Sequence, residues 1–214
     1  MKIVQIPNGQ FAENCYLVID EAGGVCAVID PGEEADLILR AIAEAGVRPA
    51  AIWLTHAHLD HVMGVPRLRR ETDAPIYLHP ADRELYDRVI QQGLAFGIRV
   101  EPLPPPDQEF VPGERVEVGA LGFTVRHAPG HSPGSVCLVG DGGGVVFTGD
   151  VLFAGSIGRT DLPGADFGTL MRSIERELLV LPDSTIVYSG HGPETTVGRE
   201  RGTNPFLTGV HRVA

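Results

Sequence analysis

The first fifty residues alternate between hydrophobic runs and turn-forming clusters, and this pattern predicts a hairpin, a helix and a buried strand. Two β-rich runs at 15–19 and 25–29 flank the polar and glycine cluster at 20–24, which is typical of a β-hairpin. From 33 to 45, apolar residues recur at helical spacing, and this favours an amphipathic helix. The apolar run 51–55 then predicts a buried strand.

The rest of the chain continues this mixture of helices and strands. Helices are predicted at 64–71, 80–92 and 167–181, and strands at 76–78, 116–118, 123–127, 135–139, 145–148 and 185–188. The proline-rich stretch 93–114 is predicted to be a surface loop that crosses between two halves. Since each half has several strands and helices, the pattern favours an α+β fold of two packed sheets, with helices on both outer faces.

Length and charge narrow the class of protein. The 214 residues predict a single domain spanning 1–214, because domains have roughly 100–200 residues. A net charge of −11 disfavours nucleic acid and anionic membranes as partners. The apolar runs are far shorter than the ~20 residues that cross a bilayer, and the N-terminal residues do not resemble a signal peptide. We therefore expect a cytoplasmic protein, and the oligomeric state stays open.

A cluster of metal-ligand types follows the predicted strand 51–55. His56, His58, Asp60 and His61 lie within six residues of one another. Alternation beyond the strand end places His56 and His58 on one side, whereas Asp60 and His61 can point elsewhere. One loop could therefore supply two neighbouring metal ions. Packing four such polar groups together is costly unless something pairs them, and imidazole with carboxylate suits zinc, iron or manganese.

Three more ligand types stand in glycine-rich turns where predicted strands end: His131, Asp150 and His191. Together with the cluster they make five histidines and two aspartates. Two metal ions that share one carboxylate would use all seven. The other histidines have no matching pattern, so we expect surface positions for His79 and His211 and leave the role of His127 open.

These motifs, in this order, resemble the metallo-β-lactamase superfamily over residues 14 to about 206. The resemblance rests on Thr55-His56-Ala57-His58-Leu59-Asp60-His61, Gly130-His131, Gly149-Asp150 and Gly190-His191. Within the superfamily the chain is most similar to short, single-domain relatives of glyoxalase II, the hydroxyacylglutathione hydrolase. The supporting stretches are Asn14-Cys15-Tyr16-Leu17, Asp30-Pro31-Gly32, Gly158-Arg159-Thr160-Asp161 and Asn204-Pro205-Phe206-Leu207. The resemblance implies a four-layer αβ/βα sandwich with metals at one end of the two sheets.

The resemblance also implies roles for individual residues. It assigns a first metal to His56, His58 and His131, a second metal to Asp60, His61 and His191, and a bridging role to Asp150. Two divalent ions, with zinc favoured over iron or manganese, would lower the pKa of bound water toward ~7 and supply a bridging hydroxide. Asp60 would orient that hydroxide, and Arg159 occupies the place of a basic glutathione contact. The expected substrate is a small thioester, S-2-hydroxyacylglutathione; the extra C-terminal helical domain of full-length glyoxalase II is not expected here.

Other activities of the same superfamily stay open. A persulfide dioxygenase would use one iron held by His56, His131 and Asp150, and Gly158-Arg159-Thr160-Asp161 resembles its sequence equally well. A lactonase could use the same hydroxide. A β-lactamase is disfavoured because those enzymes are expected to have cysteine in place of Asp150, and a nuclease because of the length and negative charge. A module that binds metal without catalysis is the alternative outside enzymes.

Overall fold

The computed structural model describes residues 1–209, and two six-stranded sheets form its centre. The first sheet has, from edge to edge, β1 (Lys2–Asn8), β2 (Glu13–Asp20), β3 (Val25–Ile29), β4 (Arg48–Trp53), β5 (Ile76–Leu78) and β6 (Gln108–Glu109). β1, β2 and β3 are antiparallel, and β3 to β6 are parallel. His211 lies outside the described residues, so its predicted surface position stays a prediction.

The second sheet has the order β14 (Thr195–Thr196), β13 (Ile186–Ser189), β10 (Val145–Gly149), β9 (Val136–Gly140), β8 (Leu121–His127) and β7 (Arg115–Val118). β10 and β13 run parallel, and the other pairs are antiparallel. A small hairpin of β11 (Leu152–Phe153) and β12 (Ser156–Ile157) stands apart from both sheets. The helices are α1 (Ala35–Ala45), α2 (Leu59–Val62), α3 (Val65–Thr72), α4 (Arg83–Asp87), α5 (Val89–Phe96), α6 (Phe167–Ser173) and α7 (Val197–Thr203).

Three hydrophobic clusters hold the layers together. The sheets pack face to face through large side chains such as Trp53 and Phe123, whose ring centroids are 5.5 Å apart. The outer face of the first sheet packs against α1 through Ile38, and that of the second against α6 through Leu170. Every residue of β2 is buried, because its alternate side chains face one cluster or the other. The predicted four-layer α+β sandwich is confirmed.

The structure corrects several element predictions. β1 and α7 were not predicted. The predicted helix 80–92 is a 3₁₀ turn, Pro80–Asp82, followed by α4 and α5. The helix is interrupted at Asp82, whose carboxylate turns inward to accept backbone hydrogen bonds, and again at Arg88, whose φ of −97° and ψ of 16° are not helical. The stretch 93–114 is not simply a surface loop, since α5 runs to Phe96 and Phe110 is buried between the sheets. The predicted helix 167–181 continues beyond α6 only as a π-helical turn to Leu178.

The prediction for His79 was wrong as well. His79 is buried, and its ring stacks on that of His127 with centroids 4.1 Å apart. Its Nδ1 atom accepts a hydrogen bond from the amide of Ala81, so the side chain caps the 3₁₀ turn. Among residues 1–209, no helix has both the length and the apolar character needed to span a membrane.

Candidate metal centre

All seven predicted ligand residues lie at the same end of the two sheets. After β4, a loop carries His56 and His58 and the short helix α2 carries Asp60 and His61, whereas the loop after β8 carries His131. Asp150 and His191 follow β10 and β13, which run parallel and therefore end at the same edge. The turns fit closely: a Cβ atom on Gly190 would overlap Asp150 Oδ1, and one on Gly130 would overlap the backbone of α6. Glycine at both positions lets the backbone pass close to the site.

The first predicted ligand group is assembled in the structure. The nearest ligand atoms of His56, His58 and His131 all lie within 4.8 Å of one another. His58 Nδ1 and His131 Nε2 are 2.7 Å apart. Three imidazole nitrogens that converge in this way can bind one divalent ion.

The second predicted group lies beside the first. The ligand atoms of Asp60, His61 and His191 also lie within 4.8 Å of one another. Asp60 Oδ2 is 3.2 Å from His191 Nε2 and 3.8 Å from His61 Nε2. The group therefore combines one carboxylate with two imidazoles, a donor set suited to zinc, iron or manganese.

Asp150 contacts both groups. Its Oδ1 atom is 3.4 Å from His61 Nε2, and its Oδ2 atom is 3.6 Å from both His131 Nε2 and His191 Nε2. This is the position expected of a ligand shared by two ions. The structure thus brings all seven residues together, and their individual ligand roles stay predictions.

Unpaired polar atoms show that the residues fit a metal. Within the described residues, the buried atoms His56 Nε2, His61 Nε2 and Asp150 Oδ1 make no hydrogen bond. A buried polar atom without a partner costs roughly 1–3 kcal/mol. Divalent cations bound here would give all three atoms a partner, so the arrangement is chemically suited to metal ions.

The far sides of two imidazoles are held by a buried network. His56 Nδ1 lies 3.1 Å from Thr55 Oγ1, and His61 Nδ1 lies 3.1 Å from Asp30 Oδ2. Asp30 also accepts hydrogen bonds from the amide and hydroxyl of Thr55, at 2.7 and 2.6 Å. Partners of this kind fix the orientation of a metal-binding histidine.

The two ligand groups differ in the pKa values of their histidines. Burial, with neighbouring histidines, holds the pKa of His56 well below its usual range and lowers that of His58 to about 3, so both rings are neutral. Burial opposes ionisation of Asp150, but the imidazoles of His61, His131 and His191 together outweigh it and lower the pKa of that carboxyl. Burial opposes protonation of His61, but Asp150 and Asp60 outweigh it and raise its pKa. A metal ion bound at His61 must therefore displace a proton.

The site opens to solvent on one side. His58, Asp60 and His191 are partly exposed, whereas His56 and His61 are buried. These partly exposed side chains therefore line the route from solvent to the site.

The small hairpin stands beside this opening. Phe153, on β11, packs edge-on against the ring of His191 with centroids 6.1 Å apart. The hairpin is tied to α7: Asn204 Nδ2 donates to the carbonyl of Ser156 at 2.9 Å, and the amide of Gly155 donates to Glu200 at 2.8 Å. Asn204 and Glu200 thus help to position the hairpin that carries Phe153.

Arg159 lies near the first group through its backbone. Its carbonyl oxygen is 2.9 Å from His131 Nδ1. Its guanidinium is exposed and donates two hydrogen bonds to Asp161, at 2.7 and 2.8 Å. The substrate-binding role of Arg159 stays a prediction.

Sequence reasoning assigned no role to several residues around the ligands, including Asp30 described above. Thr55 and Asp82 hold the ligand loops, and Glu13 is a fully buried carboxylate 3.9 Å from His61 Nδ1. Both oxygens of Glu13 lack a hydrogen bond within the described part of the chain, and burial raises its pKa well above the usual value. Thr55 could have been found, because it precedes His56 directly. Glu13 and Asp82 lie far from the ligands along the chain and follow no pattern.

Comparison with known proteins gives a consistent result. A model of the Metallo-beta-lactamase superfamily matches residues 8–191. The chain is 40% identical to "Probable metallo-hydrolase YqgX" of Bacillus subtilis, covering 98% of this chain and 99% of the relative. It is 39% identical to "Hydroxyacylglutathione hydrolase GloC" of Haemophilus influenzae, covering 97% of this chain and 98% of the relative.

Three solved structures are also similar. BLEG-1 B3 metallo-beta-lactamase has a TM-score of 0.91 and 39% identity, with 97% of this chain and 100% of that chain covered. TTHA1623 in a di-iron-bound form has a TM-score of 0.88 and 44% identity, with 95% of this chain and 100% of that chain covered. ETHE1 from Myxococcus xanthus has a TM-score of 0.82 and 30% identity, with 98% of this chain and 85% of that chain covered.

Proposed function

The chain belongs to the metallo-beta-lactamase superfamily, and we propose that it is a metal-dependent hydrolase of thioesters, with S-2-hydroxyacylglutathione as its substrate class. One observation carries this proposal: two histidine and aspartate groups meet at Asp150 in a site that is open to solvent. The similarity to the hydroxyacylglutathione hydrolase of Haemophilus influenzae supports the glyoxalase II-like substrate.

In this proposal, His56, His58 and His131 hold one ion, Asp60, His61 and His191 hold the other, and Asp150 contacts both. When bound, the two ions would supply a hydroxide nucleophile near neutral pH and polarise the thioester carbonyl. The donor set fits zinc, iron or manganese, and the di-iron form of TTHA1623 supports iron as one candidate.

Asp60 orients the attacking nucleophile in this scheme. Its side chain is partly exposed, and its Oδ2 atom lies 3.2 Å from His191 Nε2 and 3.8 Å from His61 Nε2. Burial opposes its ionisation, but the imidazoles of His61 and His191 together outweigh burial and lower the pKa of the Asp60 carboxyl. Asp60 is therefore an ionised hydrogen-bond acceptor at neutral pH. The leaving group is a thiol with a pKa of about 8.5, so it departs as thiolate without a dedicated general acid.

The alternative function is persulfide oxidation with a single iron. His56, His131 and Asp150 would hold that iron, and the similarity to ETHE1 supports this candidate. It would leave Asp60, His61 and His191 without a metal. The number of ions per chain therefore distinguishes the two functions.

The deciding experiment measures metal content and activity in one sample of the purified chain. We expect rapid release of free thiol from S-lactoylglutathione with two ions per chain. Oxygen consumption on glutathione persulfide with one iron per chain would favour the alternative. A β-lactam belongs in the same panel, because one similar structure is a B3 metallo-beta-lactamase. No thiol release from any thioester by fully loaded protein would overturn the proposal.

A further inference from the structure

We infer that Asp82 is a positioning residue that locks together the two loops of the first ligand group. The inference rests on the proposed ligand roles of His56, His58 and His131, and not on the identity of the substrate. Asp82 ends the 3₁₀ turn after β5, and its side chain is completely buried.

One carboxylate holds both loops. Asp82 Oδ2 accepts hydrogen bonds from the amide of Ala57 at 3.0 Å and from the hydroxyl of Ser132 at 2.7 Å. Asp82 Oδ1 accepts from the amide of Gly134 at 2.6 Å. Ala57 stands between His56 and His58, and Ser132 directly follows His131. The carboxylate thus connects the backbone on either side of the 2.7 Å contact between His58 and His131.

The fit around Asp82 is specific to glycine at position 134. A Cβ atom on Gly134 would lie 2.6 to 2.8 Å from three atoms of Asp82, which is closer than van der Waals contact allows. The buried Ser132 hydroxyl also pairs with Ser135 Oγ at 2.7 Å. The His131 loop is therefore folded around the carboxylate, and three buried donors would lose their acceptor without it.

A second side chain supports the other edge of the His58 loop. Gln92, on α5, accepts from the amide of Leu59 at 3.0 Å and donates to the carbonyl of Ala57 at 3.0 Å. Asp82 and Gln92 together fix the backbone on both sides of His58. Ligand atoms have to be held within about 0.5 Å for productive geometry, and this network supplies that constraint.

The second ligand group is held by residues other than Asp82. Asp30 contacts His61, and Asn14 donates to the carbonyls of Ser189 and Gly192 on either side of His191, at 3.0 and 2.8 Å. Within residues 1–209, the side-chain hydrogen bonds of Asp82 go to Ala57, Ser132 and Gly134. Loss of Asp82 should therefore weaken the first group and leave the second intact.

The test is metal affinity of the full-length, metal-free chain, measured by zinc titration against a chromophoric chelator. Asp82→Asn is introduced into two backgrounds. In His191→Ala only the first ligand group is complete, and in His58→Ala only the second ligand group is complete. We expect a 10- to 100-fold loss of zinc affinity in the His191→Ala background and no loss in the His58→Ala background. Equal losses in both backgrounds, or no loss in either, would overturn the inference.

Two controls separate positioning from general stability. Asp20→Asn removes another buried carboxylate that accepts a backbone amide, that of Ala120 at 2.9 Å, and zinc affinity should not change. Ser132→Ala removes the hydroxyl that bonds to Asp82 and Ser135 but leaves the two backbone hydrogen bonds to the Asp82 carboxylate, so it serves if Asp82→Asn does not fold. We expect a several-fold loss of zinc affinity restricted to the first group. Unchanged zinc affinity in Ser132→Ala would then contradict the inference. Because no substrate is present, these results stand apart from the outcome for thioester hydrolysis.

Discussion

His61 is held from both sides of its ring: Nδ1 lies 3.1 Å from Asp30 Oδ2, while Nε2 faces Asp150 Oδ1 at 3.4 Å. Asp30 is itself fixed by two hydrogen bonds from Thr55. The orientation of a predicted metal ligand is thus determined by a carboxylate 31 residues earlier in the chain.

Asp30→Asn should lower the zinc affinity of the second group by about 10- to 100-fold, because an amide holds the His61 ring less firmly than a carboxylate. Chelator competition in the His58→Ala background measures this affinity directly. Asp20→Asn is the matched control, since it removes a buried carboxylate remote from the site. Wild-type affinity in Asp30→Asn would contradict the proposed role of the Asp30–His61 contact.

His58→Ala should lower kcat/KM for thioester hydrolysis by at least about 100-fold, because the loss of a metal ligand exceeds the effect of losing a partner behind a ligand. Thiol release, measured with metal content in the same sample, checks this. His127→Ala is the control: it deletes a partly exposed histidine outside the ligand groups. Full activity in His58→Ala would contradict the assigned ligand set.

Metal removal should destabilise the fold, since the unpaired atoms of His56, His61 and Asp150 are buried. Zinc at 100 times its dissociation constant stabilises a protein that binds it only when folded by about 2.7 kcal/mol. For a chain of this size, that corresponds to roughly 5–10 °C in Tm. Thermal unfolding with and without chelator measures the shift, and an unchanged Tm would argue against metal binding at the site.

Arg159→Ala should raise KM for S-lactoylglutathione by up to about 5-fold, because an exposed ion pair contributes up to about 1 kcal/mol, with little change in kcat. A thioester without carboxylates should show no such rise. Arg83→Ala is a well-matched control, because Arg83 pairs with Asp87 at 51% and 56% side-chain exposure, compared with 57% and 69% for Arg159 and Asp161. An equal KM for both variants would leave Arg159 without a role in binding.

The buried His79 should make stability depend on pH. Burial, with the neighbouring His127 ring, lowers the pKa of His79 to about 4 from 6.5. Between these values the unfolded chain binds more protons, so stability is fully present above about pH 6.5 and falls as the pH drops toward 4. His79→Asn retains an acceptor for the Ala81 amide. This variant should lose roughly 1–2 kcal/mol less unfolding free energy than the wild type when the pH falls. Urea unfolding of metal-free protein at pH 7.5 and 4.5 measures it; identical pH dependence in both proteins would contradict the assignment.

Many of the strands and helices, and the seven predicted ligands, can be recognised from local patterns in the sequence. The hairpin of β2 and β3, helix α1 and the strands that lead into the site follow from apolar periodicity, because each element must bury a defined face. The seven predicted ligands stand out because four lie within six residues and three follow strand-ending glycines. Such signals need only neighbouring residues, so sequence alone determined the fold class and located the residues that meet at the centre.

Only the tertiary structure decided how that centre is held. Asp30 and Asp82 act on loops 25 to 52 residues away, and His79 and Phe110 are buried although their local pattern predicts a surface position or loop. Periodicity reports which face of an element is apolar, but a buried polar group takes its partner from whichever segment folding brings beside it. That partner depends on the packing of the whole chain, and it determines the geometry of the metal centre.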